Sequence, residues 1–249
     1  MASTPFLLPL DWTPPPGVRA VCTVRTGGAS SAPYDSFNTA MHVGDDPSAV
    51  ATNRAMLRAT LGLEAEPVWL EQVHGVTVCD LDAPRPAAAL PIADAAITLR
   101  SGVACVVQVA DCIPVLFASL DGQRVGAAHA GWRGLAAGVL EATIGALQID
   151  PRTLCAWLGP AIGATQFEVG DEVREAFIAR DGRADVAFVR NARERWQCDL
   201  ILLARHRLEA AGITEIAGGR WCTVSQAEQF FSFRRDGRCG RMAALIWRA

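Results

Sequence analysis

The chain has no lysine, so all 23 of its basic residues are arginine. That absence removes a Schiff-base lysine, a lysine-held pyridoxal phosphate and any Gly-Lys-Ser/Thr phosphate loop. A phosphate, if gripped at all, must be gripped by arginine forks or backbone N–H groups. Basic blocks are also missing, and the net charge is −3, which leaves no electrostatic footprint for nucleic acid. The eight cysteines contain no CxxC pair and form no dense framework. The first residues, MASTPFLLPLDWTPPP, lack a basic n-region, and no apolar run approaches a membrane span. The expectation is a cytoplasmic protein with reduced thiols and neither nucleic-acid nor membrane partners.

Half of the residues are hydrophobic, ample for one core in a chain of 249. Strand-like segments are Val18–Val24, Val68–Leu70, Val76–Leu81, Ala95–Leu99, Val103–Val109, Pro114–Ser119, Arg124–Ala128, Leu154–Leu158, Ile216–Thr223 and Ala243–Trp247. Many are wholly apolar, as strands buried on both faces are. Helices are expected at Pro47–Leu61, Gly134–Leu147, Gly170–Ala179 and Leu200–Ala211, the first opened by Asp46 and Pro47. Strict βαβ alternation is absent, so mixed sheets flanked by helices, an α+β fold, fit best. The Pro/Ala-rich stretch Asp82–Pro91 reads as a surface loop. The expectation is one domain over residues 1–249, with 1–17 as an N-terminal extension.

Histidine is scarce: His42, His74, His129 and His206 are the full set. His206 sits in ARHRLEA and reads as a solvated helix residue, while His42 in NTAMHVGDD is ambiguous. His74 (EQVHG) and His129 (AHAGWRG) each stand at a strand end before small residues, and Cys112 interrupts two apolar runs in QVADCIPVLF. Two imidazoles and a thiol suit Zn2+ with a fourth position open. Their separations, 38 residues from His74 to Cys112 and 17 from Cys112 to His129, are unlike the close local pairs of structural zinc sites. The same atoms also suit a nucleophilic Cys112 activated by His129 or His74, with Asp111 as orienting or acidic group. Arg25 with Gly27 and Gly28 marks an anion-facing loop ending at Asn38, or an ordinary turn. In FFSFRRDGRCGR, Phe230, Phe231 and Phe233 stand beside Arg234 and Arg235, a combination that can clamp a planar charged ligand or form a plain hairpin.

RTGGAS, NRAML, EQVHG, DAAITLRSGVAC, ADCIPVLF, AHAGWRG, LGPAIG with FEVGDEV, and FFSFRRDGRCGRMA follow in this order along nearly the whole chain. This series resembles the YfiH-type family, the multicopper polyphenol oxidase or laccase-domain proteins. The resemblance implies a single α+β domain with layers in the order α/β/β/α. It implies a metal pocket formed by His74, Cys112 and His129. It further implies a purine nucleoside phosphorylase that also deaminates adenosine and cleaves methylthioadenosine; peptidoglycan editing and laccase activity have been attached to bacterial members. The chain departs from the family pattern at ARHRLEA and after Cys222-Thr223, where it continues VSQ. Four histidines cannot supply a blue-copper site and a copper cluster together, so Zn2+, or a single Cu2+, is expected rather than a multicopper centre.

On this reading His74, Cys112, His129 and Asp111 are catalytic, with the first three as metal ligands. Arg25, Asn38, Arg54 and Arg133 are the candidates for holding substrate or phosphate. The expected partners are a purine nucleoside and phosphate, and the protein is a monomer or homodimer. A Cys–His hydrolase acting on a peptidoglycan precursor, and a non-catalytic metal-bearing module, are the rival readings.

Overall fold

The computed structural model describes residues 4–84 and 90–249. Half of the expected loop Asp82–Pro91 is among these, and residues 85–89 lie outside them. A six-stranded mixed sheet carries β2 (Val78–Asp80), β3 (Ala95–Thr98), β5 (Ile113–Ser119), β6 (Val125–Ala130), β7 (Leu154–Leu158) and β11 (Glu215–Gly218). Its order is β11-β7-β5-β6-β3-β2, parallel at its two outer pairs and antiparallel between. A second, antiparallel sheet orders β1 (Val18–Cys22), β12 (Met242–Arg248) and β4 (Ala104–Val109). A small third sheet joins β8 (Glu168–Val169), β10 (Trp196–Cys198) and β9 (Phe188–Arg190).

Alternation along the strands sorts the side chains into layers. From β4, Cys105, Val107 and Val109 point between the two larger sheets, whereas Ala104 and Val106 point the other way. From β12, Met242, Ala244 and Ile246 join the inter-sheet core, and Ala243, Leu245 and Trp247 join the outer one. There α1 (Pro47–Leu61) covers the β1-β12-β4 sheet with Leu57, next to Phe6, Phe37 and Trp69. On the far face of the six-stranded sheet, Ile113, Val115 and Phe117 pack under α2 (Trp132–Ala137), α3 (Val139–Leu147), α4 (Asp171–Ile178) and α5 (Leu200–Ala210). The order of layers is therefore α/β/β/α, the expected α+β architecture.

Local chemistry explains where the sequence-based boundaries hold and where they move. In α1 the Asp46 carboxylate accepts from Ser48 N, Pro47 occupies the first turn, and Gly62 closes the helix at φ 65°. The helix expected over Gly134–Leu147 is two helices and begins earlier, at Trp132, with Gly131 as its N-cap. Gly138, at φ 108°, ends α2 and starts α3, while Arg180 Nη1 donates to the freed carbonyls of Ala136 and Ala137. The strand expected to reach Thr223 stops at Gly218, because Gly218 and Gly219 both take positive φ. No strand forms over 68–70; pairing there is a single bridge, Glu71 to Ile92. The third sheet has no signature in the sequence because runs of two or three residues carry no readable period. Ahead of β1, Leu8 N donates to Cys22 O, Phe6 O accepts from Val24 N, and Asp11 accepts from Trp157 Nε1. The segment before β1 is thus bonded into the body. Among the described residues no helix is long and apolar enough to cross a membrane.

Candidate metal centre and its cavity

Three chain segments bring His74, Cys112 and His129 together, with their ligand atoms all within 4.8 Å of one another. His129 is the penultimate residue of β6, paired with Pro114 across the sheet. Cys112 lies in the bend between β4 and β5, next to Asp111, which holds a φ of 91°. A non-glycine residue costs of order 1–3 kcal/mol in such a conformation and persists only where its surroundings fix it. Here Asp111 Oδ1 accepts from Thr223 Oγ1 at 2.5 Å, Oδ2 from Arg234 N at 2.7 Å, and its carbonyl from Ile162 N at 2.9 Å. His74, in the loop before β2, also has a positive φ, of 60°.

The loop of His74 is fastened by Asp94, a fully buried carboxylate just before β3. Its Oδ1 accepts from His74 N at 2.9 Å and its Oδ2 from Gly75 N at 2.6 Å and Val73 N at 3.2 Å. The same Oδ1 lies 2.8 Å from His129 Nδ1, and the Asp94 carbonyl accepts from His129 N at 2.7 Å. One side chain therefore fixes the backbone of one imidazole and the ring of the other. With Nδ1 engaged, His129 presents Nε2 to the cavity, the arrangement in which a carboxylate orients a metal-binding histidine. Gly131 completes the cradle: a Cβ there would stand 2.8 Å from both Cys112 Sγ and His74 Cδ2. Only glycine leaves room for the thiol and the imidazole side by side.

Electrostatics prepare the triple for a cation. Burial pushes the Cys112 thiol up, but the charge of His129 and hydrogen bonds from His129 and His74 outweigh it and hold the thiol at about 6. Burial pushes His129 down, yet the Cys112 thiolate and the Asp94 carboxylate raise it to about 9. The metal-free pair is thus thiolate beside imidazolium. Cys112 Sγ stands 3.7 Å from His74 Nε2. Two imidazoles and a thiolate, one imidazole backed by a carboxylate, fit a single borderline-soft divalent ion. A cavity of about 380 Å³ opens over the triple, within the range of small-molecule sites.

Residues 19–249 match the multi-copper polyphenol oxidoreductase laccase family. The chain belongs to this family. A purine nucleoside phosphorylase of Pseudomonas aeruginosa is 52% identical over 238 residues, 95% of this chain and 96% of the relative. The purine nucleoside phosphorylase YfiH of Escherichia coli is 49% identical over 237 residues, again 95% and 96% of the two chains. Among solved structures, a Neisseria meningitidis protein superposes with a TM-score of 0.92 at 44% identity, covering 97% of this chain and 98% of that one. YlmD from Geobacillus stearothermophilus follows at 0.91 and 32%, covering 100% and 98%.

The multi-copper designation of this laccase-like family asks for more imidazoles than the site holds. Among the described residues the His/Cys/Asp/Glu groups that could hold a metal reduce to His74, Cys112 and His129. His42 lines the same cavity, whereas His206 lines a separate one with Arg183 and Glu209. That donor set fits one ion, not a copper cluster.

The other sequence-derived candidates scatter. Arg133 lines the cavity, and so does Asp111, although both oxygens of Asp111 are already engaged. Arg25 lies elsewhere: it donates to the carbonyls of Asp35 and Ala227, pairs with the Asp35 carboxylate at 3.3 Å, and borders a different cavity. Asn38 is fully buried, with Nδ2 on Ala40 O and Asp45, and Oδ1 on Ala40 N and Arg241 N. Arg54 donates to Thr39 O at 2.8 Å and stacks 3.8 Å over the Trp69 ring. None of these three is in the cavity wall. Of the C-terminal run, Phe230 and Phe231 are core, and Arg235 is tied to the carbonyls of Thr223, Val224 and Phe230. Phe233 and Arg234 do reach the cavity, joined there by Phe167, Gln108 and Arg241.

Sequence reasoning missed Asp94 altogether. A signal existed: in PIADAAITL a carboxylate stands alone between apolar neighbours, and a buried carboxylate must be paired.

Proposed function

We propose that this chain is a metal-dependent purine nucleoside phosphorylase, acting on adenosine, inosine and methylthioadenosine with phosphate. The observation that carries the reading is the His74–Cys112–His129 triple at the floor of a cavity sized for a small molecule. It is supported by relatives of about half identity that bear that name. In the reaction the bond from ribose C1′ to the purine nitrogen breaks, a phosphate oxygen bonds to C1′, and the base leaves with a proton.

The residues divide this work. Phe167 and Phe233 offer apolar surface to a planar base. Arginine side chains of the wall, Arg133 among them, hold the anionic co-substrate. Asp94 keeps His129 in one tautomer and His74 in one place, so ligand geometry is set before substrate arrives. His74, Cys112 and His129 would hold the ion, which we assign as Zn2+ from its two imidazoles and one thiolate, with a single Cu2+ as the alternative. When bound, such an ion supplies Lewis acidity at neutral pH. Asp111, with both oxygens accepting bonds, serves in this account as a brace for the Cys112 bend rather than as an acid or base. The reading extends to deamination of adenosine at C6, which needs no phosphate.

One observation favours a second reading. Asp94, His129 and Cys112 stand in the order of a carboxylate–imidazole–thiolate triad, which would suit a cysteine hydrolase acting on a peptidoglycan precursor. His74, 3.7 Å from the thiol, has no task in that scheme and a clear one in a metal site. Hypoxanthine release from inosine, measured with and without phosphate, tests the phosphorylase reading. Strict phosphate dependence is expected. Absence of turnover, with covalent labelling of Cys112 by an electrophile and amidase activity that survives chelators, would establish the hydrolase.

A further inference from the structure

The cavity holds more positive charge than the metal triple explains. Arg133, Arg234 and Arg241 line it together with His42, and Asp111, the one carboxylate among the described lining residues, has both oxygens engaged. A wall of arginines without a free carboxylate selects an anion.

The three guanidinium groups are not equivalent. Arg133 is exposed and lies 4.4 Å over the ring of its own neighbour Trp132, with no hydrogen-bond partner among the described residues. Arg234, also exposed, donates Nη1 to Glu168 O at 2.9 Å and lies over Phe167. Arg241 is half-buried and held from behind. Its Nη1 donates to Cys239 O at 2.9 Å and Gly240 O at 3.0 Å, and its backbone N donates to Asn38 Oδ1 at 2.9 Å. All of its side-chain bonds fall on Nη1, which leaves Nε and Nη2 without partners among the described residues. That edge is the fork that meets two oxygens of one oxyanion. A guanidinium anchored on one side and open on the other gives up little freedom when it binds. Beside it, burial and then the charges of Arg241 and Arg54 keep the His42 imidazole below its usual range, so it meets an anion as a neutral donor.

We propose that Arg241, with His42 beside it, is the oxyanion subsite of this cavity, and that its ligand is the inorganic phosphate consumed in phosphorolysis. The assignment rests on the phosphorylase reading. It moves the phosphate away from Arg25 and Arg54, neither of which lines the cavity: Arg25 is tied to Asp35 and the Ala227 carbonyl, and Arg54 donates Nε to Thr39 O and stacks on Trp69. It also gives Asn38 a purpose at one remove, as the group that fixes the Arg241 backbone.

The test combines steady-state phosphorolysis of inosine at varied phosphate with thermal shifts of the metal-loaded protein in phosphate alone. R241Q is expected to raise KM for phosphate about 10- to 100-fold and H42A about 3- to 10-fold, with KM for inosine and metal content unchanged. R133Q moves the phosphate KM less than R241Q does. Phosphate stabilises the wild type but not R241Q. If R241Q fails to fold, H42A decides: an unmoved phosphate KM there overturns the subsite, and so does a rise confined to R133Q. Wild-type protein without phosphorolysis defeats the phosphorylase reading, while loss of phosphate stabilisation in R241Q still upholds the anion site. Stabilisation by inosine 5′-monophosphate and not by inorganic phosphate overturns the ligand assigned.

Discussion

One oxygen of Asp94 lies 2.8 Å from Nδ1 of His129, and it also accepts the backbone N–H of His74 at 2.9 Å. Because Asp94 is fully buried, the groups it serves have no bulk water to turn to when it is removed. Asp94→Asn is therefore expected to weaken zinc binding by about 10- to 100-fold, through loss of the charged partner and of the enforced tautomer. Asp94→Ala strands three backbone N–H groups as well and costs about 3–5 kcal/mol of stability. Competition against a chromophoric chelator measures the first effect and denaturant unfolding the second. Wild-type affinity in the Asn variant would refute the positioning role.

Gly131 offers a steric test of the same assembly. In Gly131→Ala the new methyl falls 2.8 Å from Cys112 Sγ and from His74 Cδ2, so one ligand must move. Bound metal should drop well below one ion per chain after dialysis, while the apo fold loses about 1–3 kcal/mol. Metal analysis and thermal unfolding of the same sample separate these outcomes. Full metal content would show that the triple does not act as a unit.

Proton release on metal binding follows from the two perturbed groups. Cys112, held at about 6, is already a thiolate at neutral pH, whereas His129, raised to about 9, must lose its proton to bind. About one proton per ion should therefore appear between these two values. Apparent affinity should rise about tenfold per pH unit there and level off above the His129 value, because deprotonation then costs nothing further. Below the Cys112 value the dependence steepens as the thiol regains its proton. Calorimetry in buffers of different ionisation enthalpy reads the proton count directly. A count of zero at neutral pH contradicts the ion-pair description.

Much of this arrangement was legible in the residues, and the limits have physical causes. The wholly apolar runs became the buried strands β3 to β7 and β12, since hydrophobic burial on both faces leaves a pattern that survives any context. The cap at Asp46 and Pro47 marked the start of α1 without help from tertiary structure. His74, Cys112 and His129 stood out because polar atoms at the ends of apolar strands are costly unless used. Arg25, Asn38 and Arg54 also stood out, yet composition cannot reveal that carbonyls of other segments take arginine donors, or that Arg241 N and Asn53 Nδ2 donate to Asn38. Arg241 was invisible as a site residue for the converse reason: only the return of the last segment across the sheets places it in the cavity wall.

Gly138 supplies a prediction about the fold alone. At φ 108° it breaks what the sequence pattern reads as one helix, and a Cβ would stand 3.1 Å from Arg180 Nη1. Gly138→Ala should destabilise the protein by about 1–3 kcal/mol while leaving metal affinity of the folded fraction unchanged. Urea midpoints and metal titration check both halves. A neutral substitution would mean that α2 and α3 tolerate a continuous path.

The central claim is that the two histidines and the cysteine hold an ion on which nucleoside turnover depends. The most direct measurement removes zinc in steps with a chelator and records, on the same samples, zinc per chain and phosphate-dependent hypoxanthine release from inosine. The account predicts turnover proportional to bound zinc, vanishing with the last ion and returning on readdition to one per chain. Undiminished turnover in metal-free protein would contradict it and would shift the chemistry to the Cys112 thiolate.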